Sequence, residues 1–323
     1  MNLHQFRFVQ EAARRNLNLT ETAKALHTSQ PGISKAILEL EQELGIDIFA
    51  RHGKRLKRIT EPGLQVLAAI DIILREVSNL RRIGDEFRQQ ETGALSIAAT
   101  HTQARYVLPR AVAALRLRYP KVTVSLHQGT PEQIAQMLLD DVAEVAIATE
   151  YLAQVDGLVT LPCYEWQHVA VVPADHPLAT VERVDLEALA REPLISYHLS
   201  FTGRHRIDAA FAQRQLRPAY VLEAIDSDVI KTYVKLGMGV GLVTELAVRD
   251  DPLCAPGGEL VARPVGHLFG QNVTRIAFKR GAYLRLFVYS LVELLTPRLT
   301  RAVVEKAVAA VLAPADQHGA DGL

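Results

Sequence analysis

Cysteine is scarce in this chain of 323 residues, which contains only Cys163 and Cys254. Neither belongs to a CxxC pair or stands at zinc-ligand spacing from a histidine, which argues against a disulfide scaffold and a structural zinc site. No stretch approaches the ~18 uninterrupted apolar residues of a membrane-spanning helix, and the first residues lack the basic and then apolar plan of a signal peptide. We therefore expect a cytoplasmic protein without a membrane partner.

The chain also lacks a net charge, since 36 Lys and Arg balance 36 Asp and Glu. The charges are unevenly distributed along the sequence. Residues 1–60 hold ten basic and six acidic residues, and the remainder holds 26 basic and 30 acidic residues. Hydrophobic residues make up 49% of the chain, which is enough to build large cores in about two or three domains. The basic balance at the start indicates where a polyanion would bind.

The segment from Leu19 to Leu44 predicts two short helices joined by a tight turn. Thr20 stands before an apolar-periodic run and is expected to cap the first helix. Ser29 is expected to cap the second helix, with Gln30 and Pro31 in its first turn, where a missing N–H is tolerated. The inward face of the second helix follows three- and four-residue spacing. It comprises Ile33, Ile37, Leu40 and Leu44.

The outward N-terminal end of this second helix is polar. Gln30, Ser34 and Lys35 project there beside Ser29 and Pro31, where a recognition helix contacts base edges and phosphates. Five basic residues and no acid then occupy the eight positions of a predicted hairpin-like wing, which is typical of phosphate contact. They are Arg51, Lys54, Arg55, Lys57 and Arg58, of which the first three are the predicted contacts. The alternatives are a helical bundle unrelated to DNA and a solvated loop, although such a loop usually mixes charges.

Two further helices flank this region in the sequence. Met1 to Arg15 predicts one whose inner face carries Leu3, Phe6, Val9 and Ala13. Residues from Thr60 to about Gln89 predict a long helix with an apolar stripe at spacings of three and four. The stripe comprises Leu67, Ile70, Leu74, Val77, Leu80, Ile83 and Phe87. A winged domain of this size cannot bury so long a stripe, so we expect pairing with a second copy; the alternative is packing on its own chain.

From Gly93 onward, strands alternate with helices, which predicts a largely parallel sheet with ligand contacts at the strand carboxyl ends. We interpret the segment from Gly157 to Ala179 as two strands with a long crossover. Polar residues at the strand ends and helix starts include Thr100, Thr102, Gln103, Thr149, Thr202 and Gly203. Taken singly, each threonine is more typical of a helix cap. Together, hydroxyls, an amide and helix N-termini with no acid predict a site for a small anion or zwitterion.

Two other features predict no site. The glycines of Gly237–Gly241 follow a helix and precede a strand, the reverse of the order that binds a dinucleotide, so they indicate a helix end and turn. Three histidines, His101, His127 and His168, accompany neither a nucleophile elbow nor an H-E-x-x-H motif. We therefore predict no catalytic residue and no metal ligand, and strand alternation should turn His101 away from its two threonine neighbours.

The first 63 residues resemble the winged helix-turn-helix of the LysR-type transcriptional regulators. The resemblance rests on the core A-x-x-L-x-x-S-Q-P-x-I-S, the helix end L-E-x-x-L-G and the wing entry IFAR. Later strings are similar to the CysB-like branch of that family. These strings are THTQARY, HQGTP, IATE, LPCYEW and FTGR.

This resemblance implies a multi-domain α+β protein. Its parts would be a winged helix-turn-helix at 1–60, a linker and dimerisation helix at 61–90, a two-lobed α/β effector domain at 91–300 resembling periplasmic binding proteins, and a C-terminal helix and mobile tail at 301–323. Lobe I would span 93–161 and 268–300, and lobe II 162–267. The family is made of DNA-binding regulators, not enzymes, which implies double-stranded DNA, a small effector, RNA polymerase and a homodimer or homotetramer as partners.

The CysB-like branch implies a sulfur-related effector and no cofactor. Its cleft binds sulfate-like anions such as sulfate or thiosulfate, or an O- or N-acetylserine, which places Thr100, Thr102, Gln103, Thr149 and Thr202 in ligand contact. The resemblance adds Trp166 as a pocket wall and implies control of sulfur-assimilation or sulfonate-use genes. One alternative is a family member with a carboxylate inducer, disfavoured because no arginine is among the matched cleft residues. Another is a two-lobed solute-binding protein or enzyme, which the basic wing disfavours.

Overall fold

A computed structural model of the chain describes residues 1–53, 55–88 and 92–310. Lys54 and the predicted tail after residue 310 lie outside the described residues. The chain divides into two compact units, Met1–Asp85 and Glu86–Leu323. No helix within the described ranges is long and apolar enough to cross a membrane.

The first unit contains three helices, an antiparallel hairpin and most of a long fourth helix. These are α1 (Leu3–Arg14), α2 (Leu19–Ala25), α3 (Gln30–Leu44), β1 (Phe49–His52), β2 (Arg55–Ile59) and α4 (Glu61–Arg88). Ser29 caps α3 by accepting a hydrogen bond from the Gly32 N–H, as predicted. The cap of α2 is Asn18, whose carboxamide oxygen accepts from the N–H groups of Thr20 and Glu21. The prediction of Thr20 was wrong because asparagine is an equally good cap and places Leu19 inside the helix.

The core of the first unit follows the predicted stripe on α3 with one exception. Ile33, Ile37 and Leu40 are buried, whereas Leu44 is exposed at the helix end and Glu41 is buried. The face of α1 is also shifted. Phe6 and Val9 are buried as predicted, but Leu3 is exposed and Ala12, not Ala13, completes the buried face. The 3.6-residue period allows either alanine, and packing selects the one nearer the axis of the face.

Helix α4 does not leave the whole predicted stripe available to a second copy. Ile70 is only 2% exposed and packs with Leu67 and Leu74 in the core of its own unit. The predicted intermolecular seam is therefore wrong at Ile70. Farther along the helix, Leu80 and Phe87 are 69% and 78% exposed.

The second unit is built around a mixed sheet, to which the described residues contribute nine strands. The strands are β3 (Thr92–Ala99), β4 (Lys121–Gln128), β5 (Val145–Ala148), β6 (Leu158–Pro173), β7 (Pro193–Tyr197), β8 (Ala219–Ala224), β9 (Val240–Thr244), β10 (Leu260–Pro264) and β11 (Gln271–Lys279). Their order is β4-β3-β5-β11-β6-β9-β7-β8, with β10 also paired to β6. The helices are α5 (Leu108–Arg118), α6 (Pro131–Leu139), α7 (Leu186–Ala190), α8 (Thr202–Gln213), α9 (Ser227–Lys235), α10 (Gly266–Phe269), α11 (Leu286–Leu295) and α12 (Arg301–Ala310).

Strand β6 corrects the prediction of two strands with a crossover, because it is one strand of 16 residues. Up to Gln167 it pairs antiparallel with β11, and from His168 it pairs with β9 instead, while β10 joins its second part. Pro162 lies where the register with β11 shifts, and a bulge is where a sheet tolerates proline. The sheet is mixed, not largely parallel, because β6 and β11 run antiparallel to their neighbours.

We call the half of the sheet formed by β3, β4, β5 and β11 lobe I, and the half formed by β7 to β10 lobe II; β6 runs through both. Each lobe buries its own apolar clusters, such as that of Leu95, Ile97 and Val288 in lobe I and that of Leu194, Ile207 and Phe211 in lobe II. The glycines after α9 form a helix end and the start of β9, as predicted.

Candidate functional site

The N-terminal end of α3 lies on the surface of the first unit and carries five of the predicted contact residues. Ser29, Pro31 and Lys35 are exposed, while Gln30 and Ser34 are partly buried. Lys35 lies 3.8 Å from Glu39 one turn further along. An exposed pair of this kind contributes little free energy, so the ammonium group can turn to another anion.

A polar groove of about 620 Å³ brings Gln30 together with Arg55 of the hairpin. The groove is also lined by Asn18 and Thr20 at the start of α2. Both were missed as surface contacts in the sequence analysis, because Thr20 was assigned to capping and Asn18 was given no role. The groove therefore combines an amide, a hydroxyl and a guanidinium, which are the groups that contact bases and phosphates.

Arg51 makes contacts that the sequence did not predict. Its guanidinium donates to the Glu41 carboxylate at 2.9 Å, and the other Glu41 oxygen accepts the N–H groups of Ile48 and Phe49 at 2.9 and 3.0 Å. Glu41 is 5% exposed, so these donors compensate for burying its charge. Arg51 thus fixes the start of the hairpin to α3, and a phosphate contact by its remaining N–H groups stays a prediction.

In the second unit, a small cavity of about 20 Å³ lies between the lobes. Six of the seven predicted ligand residues line it, namely Thr100, Thr102, Gln103, Thr149, Trp166 and Gly203. The seventh, Thr202, is adjacent, because its hydroxyl oxygen lies 2.8 Å from that of Thr149.

The lobe I side of the cavity follows the carboxyl end of β3. The Thr100 hydroxyl hydrogen-bonds to the side-chain oxygen of Gln103, whose amide nitrogen donates to the Thr274 hydroxyl at 3.3 Å. A π-helical turn, Gln103–Val107, then leads into α5. This rare geometry often occurs at functional sites, and here it begins directly at the cavity wall.

The lobe II side contains three residues that sequence reasoning missed, Tyr197, Phe201 and Thr244. The Tyr197 hydroxyl lies 2.6 Å from the Ser227 hydroxyl and accepts the Thr244 N–H at 3.2 Å. Burial raises the pKa of Tyr197, so the phenol stays protonated. Tyr197 and Thr244 end strands β7 and β9, so the strand-end rule that found the threonines would have found them too.

The lining of the cavity, as far as the described residues provide it, contains no charged side chain. Its polar groups are hydroxyls, the Gln103 amide and the start of α8. Phe201 stands at the N-cap of α8 and cannot cap it with its side chain, and the Arg204 N–H is bonded to the Phe201 carbonyl, which leaves the N–H groups of Thr202 and Gly203 at the open end of the helix. These N–H groups and the positive end of the helix dipole favour an anion.

Several contacts hold the lobes together around the cavity. Besides the Thr149–Thr202 pair, Arg206 donates to Glu150 at 3.2 Å, and the Tyr106 hydroxyl donates to Asp228 at 2.5 Å. The two lobes are therefore in a closed arrangement.

His101 points away from the cavity, as predicted, although it lies in the first helical turn after β3 and not in the strand. Its Nε2 lies 3.3 Å from a carboxylate oxygen of Asp226 and 3.5 Å from one of Asp228. Arg105 approaches the same Asp228 oxygen at 3.2 Å. His101, Asp226 and Asp228 could in principle bind a metal ion, but the Arg105 guanidinium already contacts the Asp228 oxygen that would be a ligand.

Comparison with known proteins gives matches to both units. Residues 3–64 match the family described as bacterial regulatory helix-turn-helix protein, lysR family, and residues 88–300 match the LysR substrate binding domain. The HTH-type transcriptional regulator CysB of Burkholderia cenocepacia is 58% identical over 308 residues, which are 95% of this chain and 97% of the relative. The regulator SsuR of the same organism is 49% identical over 304 residues, or 94% and 97% of the two chains.

Among solved structures, the cofactor-binding domain of the Cbl transcriptional regulator is similar to the second unit. The TM-score is 0.63 with 42% sequence identity, and the match covers 67% of this chain and 93% of that domain. The relatives are named as transcriptional regulators, not as enzymes, and their names agree with the CysB-like resemblance of the cleft strings.

Proposed function

The chain belongs to the LysR family of bacterial transcriptional regulators, and from this premise we propose that it is a cytoplasmic, sulfur-responsive member of the CysB type. In this proposal it binds DNA through α3 and the wing and controls genes of sulfur assimilation or sulfonate use. Support comes from the similarity to CysB and SsuR over nearly the whole length of each chain.

The effector is a small oxyanion, such as sulfate or thiosulfate, and the observation that carries this proposal is the lining of the cavity. Hydroxyl, amide and helix N–H groups converge there without a charged side chain. Such neutral donors can satisfy several oxygens of one anion, and they spread its charge over many short contacts. O-acetylserine and N-acetylserine contain more heavy atoms than sulfate, so they require a wider separation of the lobes than sulfate does.

DNA contact is assigned to eight residues. Ser29, Gln30, Pro31, Ser34 and Lys35 belong to the recognition helix, and Arg51, Lys54 and Arg55 to the wing. The shared groove of Gln30 and Arg55 supports base reading and phosphate contact at adjacent points of the same surface.

Assembly occurs through the exposed apolar residues of α4. Ile73, Leu80 and Phe87 are exposed apolar residues spaced by seven, which is the repeat of a paired-helix seam. A tetramer and a contact with RNA polymerase complete the proposal and are supported by the family resemblance alone.

A thermal-shift panel at constant ionic strength tests the effector class. Sulfate, thiosulfate, O-acetylserine, N-acetylserine and sulfonates are compared with benzoate and muconate, which represent carboxylate inducers. A true effector stabilises the folded state by about 2.7 kcal/mol at a hundred times its Kd. A shift with sulfate or thiosulfate supports the oxyanion proposal, and a shift with acetylserines or other carboxylates alone contradicts it. A gel-shift on the chain's own upstream region tests the DNA-binding part separately.

A further inference from the structure

Residues 167 and 168 of β6 mark the point at which the sheet passes from one lobe to the other. Gln167 pairs with Gln271 of β11, whereas His168 pairs with Thr244 of β9. Only a few backbone positions separate the two pairings, so a change in the angle between the lobes must be absorbed near this point. We call residues 166–168 and 271–272 the crossing point.

The side chain of His168 is completely buried at the crossing point. Its ring meets the Trp166 indole edge-to-face, with centroids 4.9 Å apart, and meets Phe269 at 5.7 Å. Its Nδ1 lies 3.3 Å from the amide nitrogen of Asn272, the partner of Trp166 on β11. An amide N–H donates there when the imidazole is neutral and carries its proton on Nε2. The His168 side chain thus connects Trp166, which lines the cavity, to Asn272 of strand β11.

The other end of the imidazole faces the start of α8. A Cβ atom on Gly203 would lie 2.9 Å from Nε2 of His168 and 3.3 Å from the Trp166 ring. The first turn of α8 can therefore lie this close to the two rings only because residue 203 is a glycine. Gly203 lines the cavity with Trp166. His168 therefore sets how close the first N–H groups of α8 come to the indole.

Three buried polar atoms at this place have no hydrogen-bond partner among the described residues. They are Nε1 of Trp166, Nε2 of His168 and Oδ1 of Asn272. A folded chain rarely leaves such atoms unpaired, and their concentration beside a binding cavity indicates that the arrangement serves more than packing. An apolar side chain of similar size would fill the same space without this penalty.

We propose that His168 is a positioning residue of the effector cavity, holding the Trp166 indole and the first turn of α8 in the binding geometry and connecting both to strand β11 through Asn272. This inference rests on the proposed function, because it assumes an oxyanion in that cavity. Binding geometry and lobe angle are then set by the same side chain, so His168 couples occupancy of the cavity to closure.

The full-length chain contains one tryptophan, Trp166, so its fluorescence reports on this place alone. The comparison uses the parent, His168→Phe, which keeps a ring but loses both nitrogens, and Leu189→Ala, a control in the lobe II core on α7. Sulfate is the probe, and Kd is measured by calorimetry alongside emission. We expect His168→Phe to raise the sulfate Kd about tenfold or more, as is typical of groups that support a binding shell. Its emission should also shift without sulfate, whereas Leu189→Ala should match the parent in both measurements.

Gly203→Ala provides a second variant that tests the same geometry. In the parent it should weaken sulfate binding strongly, because the added methyl group meets the imidazole. In a His168→Ala background the same change should have a much smaller effect, since the obstructing ring is gone. Additive effects of the two changes would overturn the steric part of the inference.

The results distinguish failure of the proposed function from failure of the role of His168. A parent that binds no sulfate or thiosulfate contradicts the proposed function and, with it, the role of His168. A parent that binds sulfate while His168→Phe binds it equally well, with unchanged Trp166 emission, overturns the role of His168 and leaves the proposed function intact. Equal loss of binding in Leu189→Ala and His168→Phe would also overturn it, because general destabilisation would then explain both.

Discussion

The hydroxyl oxygens of Thr149 and Thr202 lie 2.8 Å apart although the two residues belong to different lobes. In such a pair one hydroxyl donates and the other accepts, so one hydroxyl hydrogen remains for a third group. An oxyanion that enters between them can accept from both hydroxyls and replace the direct bond. Effector binding would thereby exchange one link between the lobes for another of different length, which is a means of changing their separation.

Removal of one cavity hydroxyl should weaken effector binding. Thr102→Val and Thr202→Val keep the side-chain shape and remove a donor, so each should reduce the binding free energy by about 1 kcal/mol, roughly a fivefold rise in Kd, and more if the acceptor is charged. Calorimetry with the best compound of the thermal-shift panel measures this. Thr180→Val, an exposed threonine of lobe II outside the cavity lining, is the control. Parent-like binding in both cavity variants would place the site elsewhere.

The sequence was informative where one local rule determines the structure. Strand ends followed by helix starts located Thr100, Thr149 and Gly203 at one cavity, since the carboxyl ends of neighbouring strands meet at one edge. It was not informative where tertiary pairing decides. Two strands were predicted between Gly157 and Ala179, yet pairing first with β11 and then with β9 makes this segment one strand, β6. The burial of Ile70 in its own unit likewise depends on packing partners that a period along one helix does not identify.

The recognition helix and the wing should contribute differently to DNA binding. Gln30→Ala should reduce discrimination between a specific and a scrambled duplex by about 1 to 3 kcal/mol, as expected for loss of a good base contact. Arg55→Ala should weaken binding to both duplexes alike and lower the slope of affinity against salt by about one. Fluorescence anisotropy at several salt concentrations distinguishes them. If neither variant changes either affinity, the groove of Gln30 and Arg55 does not face DNA.

Arg51 should matter for stability as well as for DNA. Arg51→Ala leaves the buried Glu41 carboxylate without its ion-pair partner and should lower the free energy of unfolding of the first unit by about 2 kcal/mol. Arg55→Ala on the exposed strand β2 should change it by less than about 0.5 kcal/mol. Urea unfolding followed by circular dichroism provides the measurement. Equal stabilities of the two variants would mean that solvent already compensates Glu41.

The exposed part of α4 should carry the dimer seam. Leu80→Lys places a charge at the centre of the line of Ile73, Leu80 and Phe87 and should dissociate the pair. Leu64→Lys, which changes an exposed leucine of the same helix off that line, is the matched control and should leave the mass unaltered. Leu74→Lys should instead destabilise the first unit, because Leu74 packs against its core. Light scattering gives the mass, and an intact oligomer in Leu80→Lys would exclude this line as the seam.

His168 should make the stability of the second unit depend on pH. Burial, assisted by the nearby positive charge of Arg206, lowers the pKa of His168 to about 3, whereas an unfolded histidine has a pKa of about 6.5. Below pH 6.5 the imidazole of His168 therefore binds a proton in the unfolded chain but not in the folded chain. The free energy of unfolding consequently falls as the pH decreases from 6.5 towards 3.

The size of this effect follows from proton linkage. Between pH 7 and pH 5 the parent should lose about 2 kcal/mol through His168, and His168→Phe should lack this contribution. Urea unfolding monitored by Trp166 emission at the two pH values measures the difference, and Leu189→Ala, destabilised but with His168 intact, should keep the parent's dependence on pH. Parallel changes in the parent and His168→Phe would mean that the imidazole becomes protonated in the folded chain, which its complete burial between Trp166, Phe269 and Gly203 opposes.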